Sequence, residues 1–232
     1  MDRRQLFAAV LSAFALPILA KTAYARDFPI SQSEVLKVPA KFRRRRVSYA
    51  GPHKPGTIVV DTRRKYLYFV EGGGRAMRYG IGVGRQGFSW SGSAVIKRKA
   101  KWPTWTPPAA MVERDPFAAE WADGMPGGPR NPLGARALYL YQGNVDTLYR
   151  IHGTFVPSSI GKAVSSGCIR MINADVADLY ERVPTGTRVI VLQNGAELEG
   201  DQFDEEDEKP RGRRRKRRKP GFFLFGSLED EG

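Results

Sequence analysis

Residues 57–82 read TIVVDTRRKYLYFVEGGGRAMRYGIG, and this stretch decides the class of fold. It contains three runs rich in β-branched and aromatic residues, at 57–61, 65–70 and 75–82. Short polar or glycine-rich segments separate the runs, as in an antiparallel meander. Further strand-like runs lie at 137–141, 148–152 and 187–192.

One helix is predicted after these strands. Asn173 can cap it, Asp175 favours its first turn and Pro184 stops it. Its apolar stripe consists of Val176, Leu179, Tyr180 and Val183. Many strands with one clear helix predict a mainly β fold, either a sandwich or a barrel.

We expect four segments along the chain. Residues 1–25 have the basic start, the apolar stretch and the small-x-small end of a signal peptide. Residues 26–55 are expected to be a basic linker, and 56–195 one domain with its own core. Residues 196–232 carry an acidic run and then a basic run, which predicts a disordered charged tail.

The first segment predicts export to the bacterial periplasm. Its start at residues 2–7 also resembles a twin-arginine export signal. The apolar stretch has no cysteine, so we expect no lipid anchor. The chain's formal net charge of +14 favours anionic partners, and export makes nucleic acid the least expected of them. The tail is either simply solvated or attaches the protein to an anionic envelope surface.

Residues 102–132 contain prolines, glycines and tryptophans in a pattern that does not suit regular structure. Long irregular segments with aromatic residues often form lids or binding loops. The alternative is an ordered loop that covers a sheet edge.

The chain has one cysteine and two histidines. Cys168 lies in the sequence SSGCIRM at 165–171, and His152 comes sixteen residues earlier at the end of a strand-like run. A nearby imidazole can take the thiol proton and give a thiolate–imidazolium pair at neutral pH. The glycine before Cys168 predicts a tight turn, whose backbone amides can form an oxyanion hole.

A buried, unreactive cysteine is the alternative, although its serine and glycine neighbours argue against burial. His53 is expected to be exposed in the linker. Two histidines and one cysteine cannot form a histidine or cysteine zinc cage, and the glycines at 80–84 lack the rest of a dinucleotide fingerprint. We therefore expect no metal and no cofactor.

Several stretches together resemble one family. His152-Gly153-Thr154, the SSGCIRM segment, and Asn173 with Asp175 are similar to the signature of the YkuD-type L,D-transpeptidase catalytic domain. The segment 131–138, NPLGARAL, is also similar to one in that family. The resemblance spans about residues 55–193.

The resemblance implies a mainly β catalytic fold with one short helix after the catalytic cysteine loop. It also implies a cysteine acyltransferase of peptidoglycan biosynthesis. Cys168 would be the nucleophile and His152 the general base, with Gly167 and Cys168 as oxyanion donors. The substrate-binding residues would be Arg170, Ser165, Ser166 and Gly153. Arg170 can instead act only as an internal brace.

The implied reaction joins stem peptides of the cell wall. Cys168 would attack the third stem residue and release the terminal D-alanine. An amine would then take the acyl group, from another stem peptide or from a lysine of an envelope lipoprotein or outer-membrane protein. The alternatives are an L,D-carboxypeptidase or cross-link hydrolase, in which water takes the acyl group, and a non-catalytic peptidoglycan-binding module. Many members of the family have histidine where this chain has Ser166, which affects the pH profile near the thiol.

Overall fold

The structure is a computed structural model that describes residues 27–84, 91–165 and 167–192. The predicted signal peptide, Ser166 and the charged tail lie outside these residues, as does the side chain of Ser165. The described part of the chain contains no helix that is long and apolar enough to cross a membrane.

Strands dominate the fold, and the predicted mainly β class is confirmed. In chain order the strands are β1 (Arg45–Ser48), β2 (Ile58–Asp61), β3 (Tyr66–Gly72), β4 (Arg75–Gly80), β5 (Val83–Gly84), β6 (Gly92–Lys101), β7 (Arg136–Gln142), β8 (Val145–His152), β9 (Ala163–Ser165), β10 (Ile169–Arg170) and β11 (Arg188–Leu192).

Nine of these strands form one mixed sheet in the order β1-β4-β3-β2-β11-β6-β7-β8-β10, and β5 pairs with β9 in a small second sheet. The meander of β2, β3 and β4 is antiparallel, whereas β11 runs parallel to β2 and β10 runs parallel to β8. Gly82 exchanges two backbone hydrogen bonds with Arg170 of β10, at 2.9 and 2.8 Å. This bridge joins the β10 edge of the sheet to the end of the meander.

Three α-helices join the strands: α1 (Ala109–Val112), α2 (Pro116–Glu120) and α3 (Asn173–Arg182). Three 3₁₀ helices cover Gln32–Lys37, Ala40–Phe42 and Pro157–Ser159. Helix α3 is the predicted one, but Asn173 is its first residue and Ile172 occupies the cap position without a side-chain cap bond. The asparagine side chain therefore has another function, described below.

The core has two parts because the central strands are covered on both faces. All four residues of β2 are buried, which explains its continuous apolar run. Ile58 and Val60 pack with Ile151 of β8 and with Leu179 of α3. Val59 contributes to the other cluster, which also includes Val38, Tyr68, Ile160 and Ile172.

Residues 27–48 are more ordered than the linker that the sequence predicted. They contain two 3₁₀ helices and β1, whose four residues pair with β4. Val38 and Phe42 are buried in the second core cluster. His53 is half-buried near the Tyr49 ring, at 6.5 Å between ring centroids, and is not the fully exposed residue that we expected. The arginine-rich sequence of this segment has no apolar periodicity. Its local structure therefore depends on tertiary contacts, which the sequence pattern does not show.

Candidate active site

The strands β8 and β10 carry the two residues that the sequence selected for chemistry. Their parallel register pairs Ile169 with Ile151 and Arg170 with His152. Both isoleucines are fully buried in the core. His152 is the last residue of β8 and Cys168 directly precedes β10, so the register places Cys168 two positions away from His152 along the paired strands.

Cys168 is half-buried as a residue. Its Sγ lies 3.9 Å from the carbonyl oxygen of Leu148. Burial raises the pKa of the thiol, while the backbone N–H of Arg150 and the charges of Arg150 and Arg170 lower it in part. The Arg150 N–H and the two arginine charges favour the thiolate, whereas burial and the Leu148 carbonyl, which accepts from the thiol, favour the thiol.

The Leu148 carbonyl reaches the sulfur because β8 is irregular at that point. Leu148 has φ 61°, in the left-handed region that leucine rarely occupies, and its side chain is 75% exposed. The register between β7 and β8 shifts between Tyr139 and Tyr141. Bulges of this kind turn backbone groups toward a site. Here the Leu148 carbonyl faces Cys168.

His152 is buried, with only 4% of its surface exposed. Its Nδ1 lies 2.6 Å from the carbonyl oxygen of Gly153. A carbonyl can only accept, so Nδ1 carries the proton and the Nε2 lone pair is available as a base. Burial lowers the pKa of His152 to about 4, the Gly153 bond opposes this shift, and the charges of Arg170 and Arg150 add to it.

The two pKa shifts change our expectation about the resting site. Burial raises the pKa of Cys168 and lowers that of His152, so both favour their uncharged forms. At neutral pH a neutral thiol beside a neutral imidazole is therefore favoured over the thiolate–imidazolium pair that the sequence suggested. Proton transfer would accompany attack on a substrate.

Asn173 fixes the backbone around Gly153. Its Oδ1 accepts a hydrogen bond from the Ala135 N–H at 2.8 Å, and its Nδ2 donates to the Thr154 carbonyl at 3.1 Å. A Cβ on Gly153 would come within 2.3 Å of Asn173 Oδ1, so glycine is required at this position. Asn173 thus holds the Thr154 carbonyl and packs against Gly153, whose own carbonyl bonds His152.

Gly167 has φ 138°, a conformation that L-residues rarely adopt, immediately before the nucleophile candidate. Its role with Cys168 as an oxyanion donor stays a prediction. Arg170 bonds Gly82 through its backbone and lies opposite His152 in the ladder. The backbone of Ser165 belongs to β9, next to β5. Roles for its side chain and for Ser166 fall outside the described residues.

Sequence reasoning missed Arg150. This residue precedes the Ile169–Ile151 pair by one position and so lies across from Cys168. Its guanidinium forms two hydrogen bonds with the Asp146 carboxylate, at 2.9 and 3.1 Å. It also lies over the Tyr139 ring, 4.6 Å from the centroid. The Asp146 and Arg150 pair, four residues apart and just before His152, was the available signal.

A cavity of about 240 Å³ lies elsewhere, at the turn between β3 and β4, where Tyr49, His53 and Arg75 line it. It contains none of the site residues. Within residues 27–84, 91–165 and 167–192, no group of three or more histidine, cysteine, aspartate or glutamate side chains could hold a metal ion.

The model of the YkuD L,D-transpeptidase catalytic domain matches residues 55–191. The chain belongs to this family. Probable L,D-transpeptidase YbiS of Escherichia coli strain K12 is 37% identical over 139 residues, which cover 58% of this chain and 43% of that relative. Probable L,D-transpeptidase ErfK/SrfK of the same strain is 36% identical with the same coverage. The chain thus spans less than half the length of these two L,D-transpeptidase relatives.

A solved structure from Brucella melitensis is 51% identical to this chain, covers 69% of it and 99% of its own length, and has a TM-score of 0.47. It is described as a probable carnitine operon oxidoreductase. That description concerns the Brucella protein, and the family assignment of this chain comes from the catalytic-domain match.

Proposed function

We propose that this L,D-transpeptidase family member forms a thioester between Cys168 and a peptidoglycan stem tetrapeptide and transfers the acyl group to an amine. The observation that carries the proposal is the ladder of β8 and β10. It supports joint action of Cys168 and His152 because β10 begins directly after Cys168 and pairs with the end of β8 at His152, whose Nδ1 proton bonds the Gly153 carbonyl.

In the first half-reaction the Cys168 sulfur bonds to the carbonyl carbon of the third stem residue, and His152 Nε2 takes the thiol proton. The tetrahedral intermediate then breaks its C–N bond, and His152 returns the proton to the leaving D-alanine amine. The amides of Gly167 and Cys168 are the proposed donors to the oxyanion. A thioester on Cys168 remains.

In the second half-reaction an acceptor amine attacks the thioester. His152 Nε2 takes a proton from the amine, the C–S bond breaks, and the sulfur leaves with a proton from the imidazolium. A stem-peptide amine would give a 3-3 cross-link. A lysine of an envelope lipoprotein or outer-membrane protein would give a wall-anchored protein.

Two arginines support the choice of an anionic substrate. The charges of Arg150 and Arg170 both act on the Cys168 thiol. A stem peptide carries carboxylates, and an arginine guanidinium pairs strongly with them. We propose Arg170 as the carboxylate-binding residue, with Ser165, Ser166 and Gly153 also on the substrate side. No cofactor enters the reaction as proposed.

The proposal includes the location. Residues 1–25 would direct export to the periplasm, and the tail at 196–232 would contact an anionic envelope surface. Stem peptides are outside the cytoplasm, so export is needed for the proposed reaction.

The experiment is a product profile. Exported, purified protein is incubated with disaccharide tetrapeptides, and the products are separated and weighed by mass spectrometry, with Cys168→Ala as the control. Cross-linked dimers with released D-alanine would support transfer. Tripeptides alone would identify hydrolysis, and the absence of any product in the wild type would favour the non-catalytic module.

A further inference from the structure

Glu34 lies outside the range that matches the family, yet its side chain contacts the catalytic region. It belongs to the 3₁₀ helix Gln32–Lys37. Its Oε2 accepts a hydrogen bond from the Asn173 backbone N–H at 3.1 Å, and its Oε1 accepts from Asn173 Nδ2 at 3.3 Å. The two residues are 139 positions apart in sequence. Glu34 therefore places a carboxylate against the first N–H of α3, where the sequence had predicted a cap by Asn173 itself.

These bonds connect Glu34 to His152 in three steps. Glu34 fixes both the backbone and the amide of Asn173. The Asn173 amide in turn bonds Thr154 and Ala135 and lies directly against Gly153. The Gly153 carbonyl accepts the Nδ1–H of His152. A rotation of the Asn173 side chain would break its bond to the Thr154 carbonyl, in the residue next to Gly153, and its bond to the Ala135 N–H.

We call residues 27–44 the strap. The strap contacts the rest of the fold on both sides of Glu34. On one side the Phe28 ring meets the edge of Trp102, at 5.1 Å between centroids. On the other side Val38 and Phe42 are buried with Ile160. Arg44 then pairs with Asp178 of α3 at 3.0 Å. Glu34 is thus held in place by contacts on either side of it.

We propose that Glu34 is a positioning residue, which acts through Asn173 and Gly153 to keep His152 in the Nδ1–H tautomer with Nε2 available to the thiol. This positioning role matters for catalysis only if His152 is the general base, so the inference rests on the proposed function. It assigns the strap a part in the active site.

The direct test is the ring tautomer of His152, measured by nitrogen-15 NMR of the imidazole rings. The chain has only two histidines, so a His53→Ala variant assigns the spectrum. The wild type should show one Nδ1–H tautomer for His152. Glu34→Ala should show a mixture of tautomers, and Glu34→Gln a smaller shift, because glutamine keeps one acceptor oxygen. Glu181→Ala removes an exposed carboxylate from the other end of α3 and should leave the spectrum unchanged.

A second readout is the rate of Cys168 alkylation by iodoacetamide between pH 6 and 9, at a temperature where circular dichroism shows every variant folded. We expect Glu34→Ala to react about tenfold more slowly near neutral pH, since small displacements of a catalytic group have large effects on rate. A merely structural role would lower the melting temperature and leave tautomer and pH profile unchanged.

A wild-type tautomer spectrum in folded Glu34→Ala would overturn the proposal. If that variant does not fold, Glu34→Gln decides: a tautomer shift supports the proposal, and an unchanged spectrum overturns it. Neither readout uses a peptidoglycan substrate. A wild type that forms no muropeptide product would therefore defeat the proposed function, while a tautomer shift in Glu34→Ala would still support the positioning role.

Discussion

The ladder of β8 and β10 and the strap act on the same loop, His152 to Thr154, by different physical means. The ladder joins His152, at the end of β8, to β10 next to Cys168 with two residue pairs, and burial favours the uncharged forms of both side chains. The strap uses ionised groups, Glu34 and Arg44, which are far from α3 in sequence. The comparison suggests a division of roles. The candidate reactive side chains belong to the ladder, whereas the side chains that we propose to position them come from a distant part of the sequence. Substitutions in the ladder should remove chemistry without unfolding, whereas those around Asn173 should affect both.

The largest effect is expected at the nucleophile. Cys168→Ser should reduce transpeptidation at least about a thousandfold, because a serine hydroxyl ionises far less readily than a thiol and His152 is a weak base here. The free energy of unfolding should stay near that of the wild type. Product assays and urea denaturation measure the two quantities. Retained activity in this variant would show that the Cys168 thiol, next to β10, is not the nucleophile.

Asn173→Ala should lower both activity and stability. The substitution leaves the Ala135 N–H and the Thr154 carbonyl without their buried partner, which costs about 2–3 kcal/mol. Displacement of Gly153 should also slow Cys168 alkylation about tenfold or more. Asn144→Ala, at an exposed position, is the matched control. A loss of stability with an unchanged alkylation rate would separate Asn173 from His152 and break the comparison.

The pH dependence of stability should reveal two opposing groups. The pKa of His152 falls to about 4 on folding, so the unfolded chain binds the proton first and stability decreases as pH falls from 6.5 to 4. Burial raises the pKa of Asp175 to about 6, so this residue does the reverse: stability decreases as pH rises from about 4 to 6. Each contribution amounts to about 3 kcal/mol.

The wild type should therefore show little change between pH 4 and 6.5, and single variants should separate the two contributions. Asp175→Asn should lose stability on acidification, and His152→Asn should gain it. Urea denaturation at several pH values measures this. Equal pH slopes in the two variants would contradict the assignment of uncharged resting forms.

The smallest effect is expected at the bulge. Leu148→Gly should raise the free energy of unfolding by about 1 kcal/mol or less, because glycine has no strain at φ 61°. Val145→Gly, at a 70% exposed position of the same strand without positive φ, should lower it by about 0.5–1 kcal/mol. If both substitutions change the free energy of unfolding in the same direction, the left-handed backbone at Leu148 stores no strain.

Much of the fold could be predicted because its strands carry local signals. The alternating or continuous apolar runs of β2 to β4 and the stripe of α3 correspond to the observed elements. Strand β6 was missed because four of the five residues in its second half, KRKAK, are lysine or arginine. Two of their charged ends lie over aromatic rings, with Arg98 over Tyr139 at 4.0 Å and Lys99 over Tyr180 at 4.1 Å. No local pattern contains that information.

The candidate site likewise combines residues that the sequence identified with contacts that it did not show. The motif residues Cys168 and His152 could be selected from sequence, and the structure brings their strands together, while their catalytic roles stay predictions. The contact of Glu34 with Asn173 and the turn of the Leu148 carbonyl toward the sulfur depend on tertiary structure. A motif also does not show how deeply Cys168 and His152 are buried. Their burial favours the uncharged forms of both side chains.

The central claim is that Cys168 carries the acyl group. Intact-mass spectrometry of the protein, quenched in acid within seconds of mixing with a disaccharide tetrapeptide, measures this directly. The account predicts an adduct with the mass of the substrate less D-alanine, located on Cys168 by peptide mapping and absent from Cys168→Ala. An adduct on another residue, or D-alanine release that persists in Cys168→Ala, would contradict it.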